Sequence, residues 1–278
     1  MKLLRYGEKG RERPGLLDKE GHVRDLSALI KDLTGDVLSP ESLEKLASLN
    51  TADLPRVPSG VRLGPPIAGS SKFVAIGLNY ADHAAEAQMA LPKEPIIFLK
   101  ALTAMNGAED PIEKPRGSTK LDWEVELGLV IGSKAKYVSE ADAMKCIAGY
   151  CVANDVSERS FQTERGGQWT KGKSHDTFGP LGPWLVTKDE VRDPHQLALW
   201  LDVNGERQQS GTTANMIFKL PKLISYISEF LTLLPGDVVV TGTPAGVGLG
   251  KNRFLNVGDV VTLGIEGLGA QRQHVVAA

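Results

Sequence analysis

LDWEVELGLVIG, residues 121–132, reads as a β-strand with two unlike faces. Side chains alternate along a strand, so Trp123, Val125, Leu127, Leu129 and Ile131 point one way and Glu124 and Glu126 the other. An isolated Glu-x-Glu is most simply the wet face of a half-buried strand. Here Gly128, Val130 and Gly132 continue the acidic face, which is therefore not a charged stripe. A second apolar run, IAGYCVAND (147–155), closes on Asp155 and offers a third carboxylate. Three anions held together repel, and burial strengthens the repulsion, unless they share protons or a cation neutralises them. A hard divalent ion meets that need. All-oxygen ligation suits Mg2+ or Mn2+, and the acids have no His/Cys cluster of the kind zinc takes.

The chain around this stretch has 278 residues, 41% of them hydrophobic and 24% charged, the composition of a globular protein with room for one large or two unequal domains. A net charge of −2 with Lys and Arg scattered among acids gives no electrostatic footprint for nucleic acid or an anionic membrane. No segment approaches the apolar length of a membrane span and the N-terminus has no leader pattern, so the expected location is the cytoplasm. Cys146 and Cys151 are the only cysteines; C-x4-C within an apolar stretch fits neither a redox pair nor a zinc half-site, and buried free thiols are expected.

Residues 1–70 are expected to form a small α+β unit and linker, with strands at RPGLLD and HVRDL and a helix over SPESLEKLASL. The Pro- and Gly-rich TADLPRVPSGVRLGPPIAG follows, and the main domain is placed at 71–278. Short apolar runs dominate it: FVAIG, PIIFL, VELGLVI, IAGYCVA, PWLVT, LALWLDV, DVVVTG and VVTLGI. Asn204-Gly205 marks a hairpin, and SEADAMKCI, capped by Ser139 and Asp142, and PKLISYISEFLTLL (221–234) read as helices. The fold class is α+β and strand-rich, without the strand–helix alternation of a doubly wound sheet.

Three further segments carry chemistry. After FVAIG, a helix beginning near Asn79 or Asp82 puts His83 and Glu86 on one face, where a carboxylate-oriented imidazole can serve as a base for water, or simply form a surface pair. Met89 to Pro95 reads as a flap. GQWTKGKS (167–174) matches the phosphate-loop pattern letter for letter, but no buried strand precedes it and the Gly and Pro residues of HDTFGPLGP prevent a following helix, so a nucleotide site is rejected. Lys173 in that loop can still place positive charge beside a developing enolate. TGTPAGVGLG (241–250) can present backbone N–H groups and the Thr243 hydroxyl to an anion.

Taken in order, GLNYADHAAE, LDWEVELGLVIG, ANDVSERSFQ, KGKSHDTFGPLGPWLVT, VNGERQQSG and LPGDVVVTGTPAGVG resemble the fumarylacetoacetate hydrolase family over roughly residues 71–270. The resemblance implies a mixed β-sandwich roll behind a small N-terminal domain, usually as a homodimer. It implies Glu124, Glu126 and Asp155 as ligands of Mg2+ or Mn2+, and His83 with Glu86 as the water-activating dyad. Lys173 is implied as a catalytic cation, and Gln162, Arg159, Thr243 and Gly242 as contacts to a 2-oxo acid substrate. The sequence departs from the family at His175, where an aromatic commonly follows Lys-Ser, and at Leu78, where some members carry arginine. The expected reaction is hydrolysis of a carbon–carbon bond in a 2,4-diketo acid of the acylpyruvate type. The wording of the motifs is most similar to the enzymes of 2,4-didehydro-3-deoxy-L-rhamnonate and L-fuconate, which yield pyruvate and lactate. Oxaloacetate decarboxylase, 2-hydroxyhepta-2,4-diene-1,7-dioate isomerase and ureidoglycolate lyase-like activities share the same metal–enolate site and remain open.

Overall fold

The computed structural model describes residues 1–86 and 90–278. The 121–132 stretch forms two strands, Leu121–Asp122 and Val125–Ile131, interrupted at Trp123 and Glu124. Every residue of the longer strand is buried, as a central strand covered on both faces requires. Its alternation separates two cores. Trp123, Val125, Leu127, Leu129 and Ile131 enter one apolar cluster, while Val130 on the opposite face enters another.

That strand lies within a ten-stranded mixed sheet. The main order is Val23–Asp25, Arg13–Leu17, Lys2–Tyr6, Gly179–Thr187, Ile147–Asn154, Val125–Ile131, Val238–Val240, Phe73–Gly77 and Ile96–Lys100, with Met105–Asn106 attached to Gly179–Thr187. Its pairings are antiparallel except for Val238–Val240 with Phe73–Gly77 and Met105–Asn106 with Gly179–Thr187. A five-stranded sheet runs Glu206–Thr212, Ala198–Val203, Val260–Ile265, Gly269–Ala277 and Ile112–Lys114. The first cluster joins the two sheets: Val74 and Ile76 belong to it with Leu199, Leu201, Val261 and Leu263, and the helix Leu220–Phe230 adds Leu223, Ile224 and Ile227. Apolar area removed from water at this contact is the main cohesive term.

The second cluster covers the other face of the large sheet, where Ala153, Val238 and Val240 meet Leu16, Leu26, Leu33, Leu38 and Leu46. The first strands extend the same sheet: Leu3 pairs with Leu185, so hydrogen bonding runs across the 70/71 boundary drawn from composition. Local expectations are met where a specific residue enforces them. Asn204 and Gly205 have φ of 53° and 79°, as a two-residue hairpin turn of type I′ needs. Ser39 caps the helix Pro40–Ala47, and the Ser139 hydroxyl accepts the Asp142 N–H at 3.2 Å. The helix expected over 221–234 ends instead at Phe230, because Leu231 turns extended and Leu233 exchanges backbone hydrogen bonds with Ala135. The flap expected from Met89 to Pro95 begins on a residue outside the described ones. Among the described residues no helix is long and apolar enough to cross a membrane.

Both cysteines are free and buried, and burial pushes the Cys151 thiol up to about 12. Its thiolate fraction at pH 8 is then on the order of 10⁻⁴, and the thiolate is the reactive form. Iodoacetamide at pH 8 should leave Cys151 unmodified in the native protein and label it in urea, read by peptide mass spectrometry; rapid native labelling would contradict this burial.

Candidate active site

The register of two central strands assembles the acids. Antiparallel pairing sets Ala153 opposite Glu126 and Asn154 opposite Val125, and the Asp155 N–H then donates to the Glu124 carbonyl at 2.9 Å. Residues two apart share a face, so Glu126, Glu124 and Asp155 converge. Their carboxylate oxygens lie within 4.8 Å of one another, and all three side chains are buried.

Three buried cations surround them. Lys173 Nζ donates to Glu124 Oε2 at 2.6 Å and to Asp155 Oδ2 at 2.8 Å. Lys100, closing the Ile96–Lys100 strand, donates to Asp155 Oδ1 at 2.5 Å and to the Val156 carbonyl at 3.3 Å. Arg159 donates from Nε to Asp122 at 2.7 Å, from Nη2 to Glu124 Oε1 at 2.7 Å, and from Nη1 to Gln162 Oε1 at 3.2 Å. Burial pushes the Glu124 carboxyl up, but Lys173 and Arg159 outweigh it and hold the group well below the usual range. Burial likewise pulls both lysines down; Asp155 and Glu124 more than offset this at Lys173, whereas at Lys100 burial prevails.

Among the described residues Glu126 is the acid without a cationic side-chain partner; it accepts the Gly242 N–H at 2.8 Å. Burial first, then Asp155 and Glu124, push its carboxyl well above the carboxylate range. The four acids Asp122, Glu124, Glu126 and Asp155 thus exceed the three cations Lys100, Lys173 and Arg159 by one, and the excess falls on Glu126. An all-carboxylate donor set with an unbalanced negative charge fits a hard divalent ion, which would take the place of the proton.

The 241–250 loop does bind anions through its amides, but the anions belong to the protein. Besides Gly242 on Glu126, Gly246 N–H reaches both Glu86 oxygens at 3.0 Å, and the Gly248 and Leu249 N–H groups meet Asp122 at 2.6 and 2.9 Å. The Thr243 hydroxyl donates to the Val125 carbonyl at 2.8 Å and accepts from Gln209. Glycine is required where the loop presses in: Gly242 has φ +91° and a Cβ there would lie 2.8 Å from the Asn79 Cβ, while at Gly246, with φ +105°, it would lie 2.1 Å from the Gln208 carbonyl oxygen.

His83 and Glu86 stand on the helix Ala81–Glu86, with His83 Nδ1 3.5 Å from Glu86 Oε2. That is an electrostatic contact longer than a good hydrogen bond, and Nδ1 has no other partner among the described residues. Burial pushes Glu86 up, but His83 and the Gly246 N–H bring it below the ordinary value.

A cavity of about 120 Å³ opens on this constellation. Of the ten residues read from the sequence, His83, Glu124, Glu126, Arg159, Gln162, Lys173, Gly242 and Thr243 line it. Glu86 and Asp155 do not; they contact His83 and Lys173, which do. The other lining is largely apolar and includes Ile76, Leu78, Phe98, Trp169 and Leu249. The phosphate-loop match resolves into the four-residue helix Thr170–Lys173, whose lysine turns onto the acids, and the chain continues into the strand Gly179–Thr187. Two participants escape the reading of the sequence. Asp122 shares the parity of Glu124 and Glu126, so D-x-E-x-E was a visible signal; Lys100 ends an apolar strand and carried none.

The family described as fumarylacetoacetate (FAA) hydrolase C-terminal matches residues 72–276. A Burkholderia multivorans protein, named only provisionally as a hydrolase, is 57% identical over all of both chains. Among solved structures, a fumarylacetoacetate hydrolase from Exiguobacterium antarcticum is similar at 34% identity and a TM-score of 0.86, covering 100% of both chains. A 2-hydroxyhepta-2,4-diene-1,7-dioate isomerase from Mycobacterium marinum is similar at 36% identity and a TM-score of 0.80, over 100% of this chain and 98% of that one. Maleylpyruvate hydrolase from Sphingobium sp. SYK-6, in complex with manganese(II) and pyruvate, is similar at 28% identity and a TM-score of 0.85, covering 100% of both.

Proposed function

Since the chain belongs to the fumarylacetoacetate hydrolase family, whose fold and hydrolase/isomerase relatives it shares, we propose that it is a divalent-metal-dependent hydrolase of 2,4-diketo acids. The products are pyruvate and a carboxylic acid. The observation that carries this reading is the clustering of three buried carboxylates beside a cavity that Glu124, Glu126, Lys173 and His83 line. The manganese and pyruvate held by the similar maleylpyruvate hydrolase support it. Sugar-derived acids such as 2,4-didehydro-3-deoxy-L-rhamnonate or L-fuconate belong to the same substrate class, and a cytoplasmic homodimer is the form we assign.

Glu124, Glu126 and Asp155 hold Mg2+ or Mn2+ in this mechanism. The bound ion supplies Lewis acidity to the 2-oxo acid end of the substrate. Gln162 spends its side-chain oxygen on Arg159, and its amide nitrogen has no protein acceptor among the described residues, which leaves a donor for the substrate carboxylate. His83 faces Glu86 through Nδ1, so Nε2 is the ring nitrogen that takes the proton from water. The water oxygen bonds to C4 and the C3–C4 bond breaks, its electron pair passing into the pyruvate enolate. Lys173 offsets that negative charge, and protonation at C3 gives pyruvate. Glu86 stabilises the imidazolium formed on the way.

An isomerase or decarboxylase is the second reading, favoured by the similarity to the Mycobacterium marinum isomerase and by the 3.5 Å His83–Glu86 separation, since neither reaction needs an attacking water. A screen for pyruvate release from acylpyruvates, sugar-derived ones included, separates the two. Dialysis against EDTA should abolish release, and Mn2+ or Mg2+ should restore it. Undiminished turnover in EDTA would refute the metal requirement, and turnover of oxaloacetate with no acylpyruvate cleaved would favour decarboxylation.

A further inference from the structure

We propose that the enzyme selects substrates whose acyl group is uncharged, so that the only carboxylate entering the cavity is the one on the 2-oxo acid end. This inference rests on the hydrolase reading above and adds a specificity to it. The charges around the cavity lead to it. The permanent cations lining it are Arg159 and Lys173 among the described residues, and both are committed. Arg159 donates to Asp122, Glu124 and Gln162, and Lys173 to Glu124 and Asp155. With Lys100 these cations face four buried carboxylates, an excess of one negative charge. A divalent ion turns that excess into a single positive charge, which one substrate carboxylate cancels. Glu86, behind His83, only adds to the negative side.

A second carboxylate, carried on the acyl group, would find no uncommitted permanent cation among the described residues that line the cavity. The remaining wall offers Ile76, Leu78, Phe98, Trp169 and Leu249, with Thr163, whose hydroxyl donates to the Arg159 carbonyl at 2.9 Å, and Trp169 is itself packed edge-on against Phe98 with ring centroids 5.3 Å apart. Taking an anion out of water against such a surface without a partner is strongly unfavourable. Leu78 is the wall residue through which selectivity should be adjustable. It follows the Phe73–Gly77 strand and holds φ of 51°, a backbone set by the turn, so that a different side chain there would enter the same space.

The experiment compares acetylpyruvate, with a neutral acyl group, and maleylpyruvate, with an anionic one. Both are offered with Mn2+ to the wild-type protein for pyruvate release and to the His83→Ala protein for calorimetric binding without turnover. We expect acetylpyruvate to lead by at least about tenfold in kcat/KM and in affinity. Leu78→Arg should narrow or reverse the ratio by raising maleylpyruvate binding. Equal or better handling of maleylpyruvate by the wild type would overturn the specificity while leaving the hydrolase reading intact. Release of pyruvate from neither acid, nor from any sugar-derived 2,4-diketo acid, would overturn both.

Discussion

Replacing His83 by alanine should lower pyruvate release by about 10³-fold, the span a positioned general base supplies, and leave Mn2+ binding unchanged. His83 touches the cavity but is not among the clustered carboxylates; its contact is to Glu86, on its own helix. The metal-binding charge therefore survives the substitution, whereas water loses its proton acceptor. Steady-state kinetics with calorimetric Mn2+ titration read the two quantities separately. Hydrolysis retained near the wild-type rate would remove His83 from the reaction, and a parallel loss of Mn2+ affinity would mean that the site itself had collapsed.

Lys173→Met should act on both stability and rate. Without metal, the lysine neutralises Glu124 and Asp155 together, so its removal leaves buried carboxylates with less counter-charge. Breaking such a contact costs about 3 kcal/mol, the lower end of the usual range because the orphaned acids can take up protons. Mn2+ should recover more of this loss in the variant than it adds to the wild type, since only in the variant does it replace a missing positive charge. Turnover should fall by at least about 10²-fold even with saturating Mn2+, as expected when charge stabilisation of an enolate is removed. Urea melts with and without Mn2+, together with kinetics, test this. A variant as stable as the wild type in EDTA would show that the acids do not depend on Lys173.

Much of the large sheet was legible because its strands are written in apolar residues, and the 121–132 stretch shows both faces in its alternation. The small sheet was harder to read where polar residues face inward. In the strand Gly269–Ala277, Gln271 and Gln273 are buried. Gln271 donates to the Val152 and Gly182 carbonyls, and Gln273 to the Ala108 carbonyl at 2.6 Å. Such side chains look like surface until their backbone acceptors are known. The site divides along the same line. Its acids lie close in sequence on neighbouring strands, and a parity count finds them. Lys100 meets Asp155 across 55 residues, an encounter set by tertiary structure alone. The motif at 241–250 reads as a loop presenting amides and the Thr243 hydroxyl to an anion; in the structure its amides turn inward to Glu126, Glu86 and Asp122, buried or half-buried carboxylates that need donors, and the Thr243 hydroxyl donates to the Val125 carbonyl.

Leu16, Leu26, Leu33, Leu38 and Leu46 pack on the face of the large sheet from which Glu126 projects. The N-terminal segment also adds strands to that sheet, through the pairing of Leu3 with Leu185. The scaffold that carries the acids is therefore shared by both sides of the drawn boundary, and a chain cut at residue 70 would expose apolar surface on the sheet that holds them.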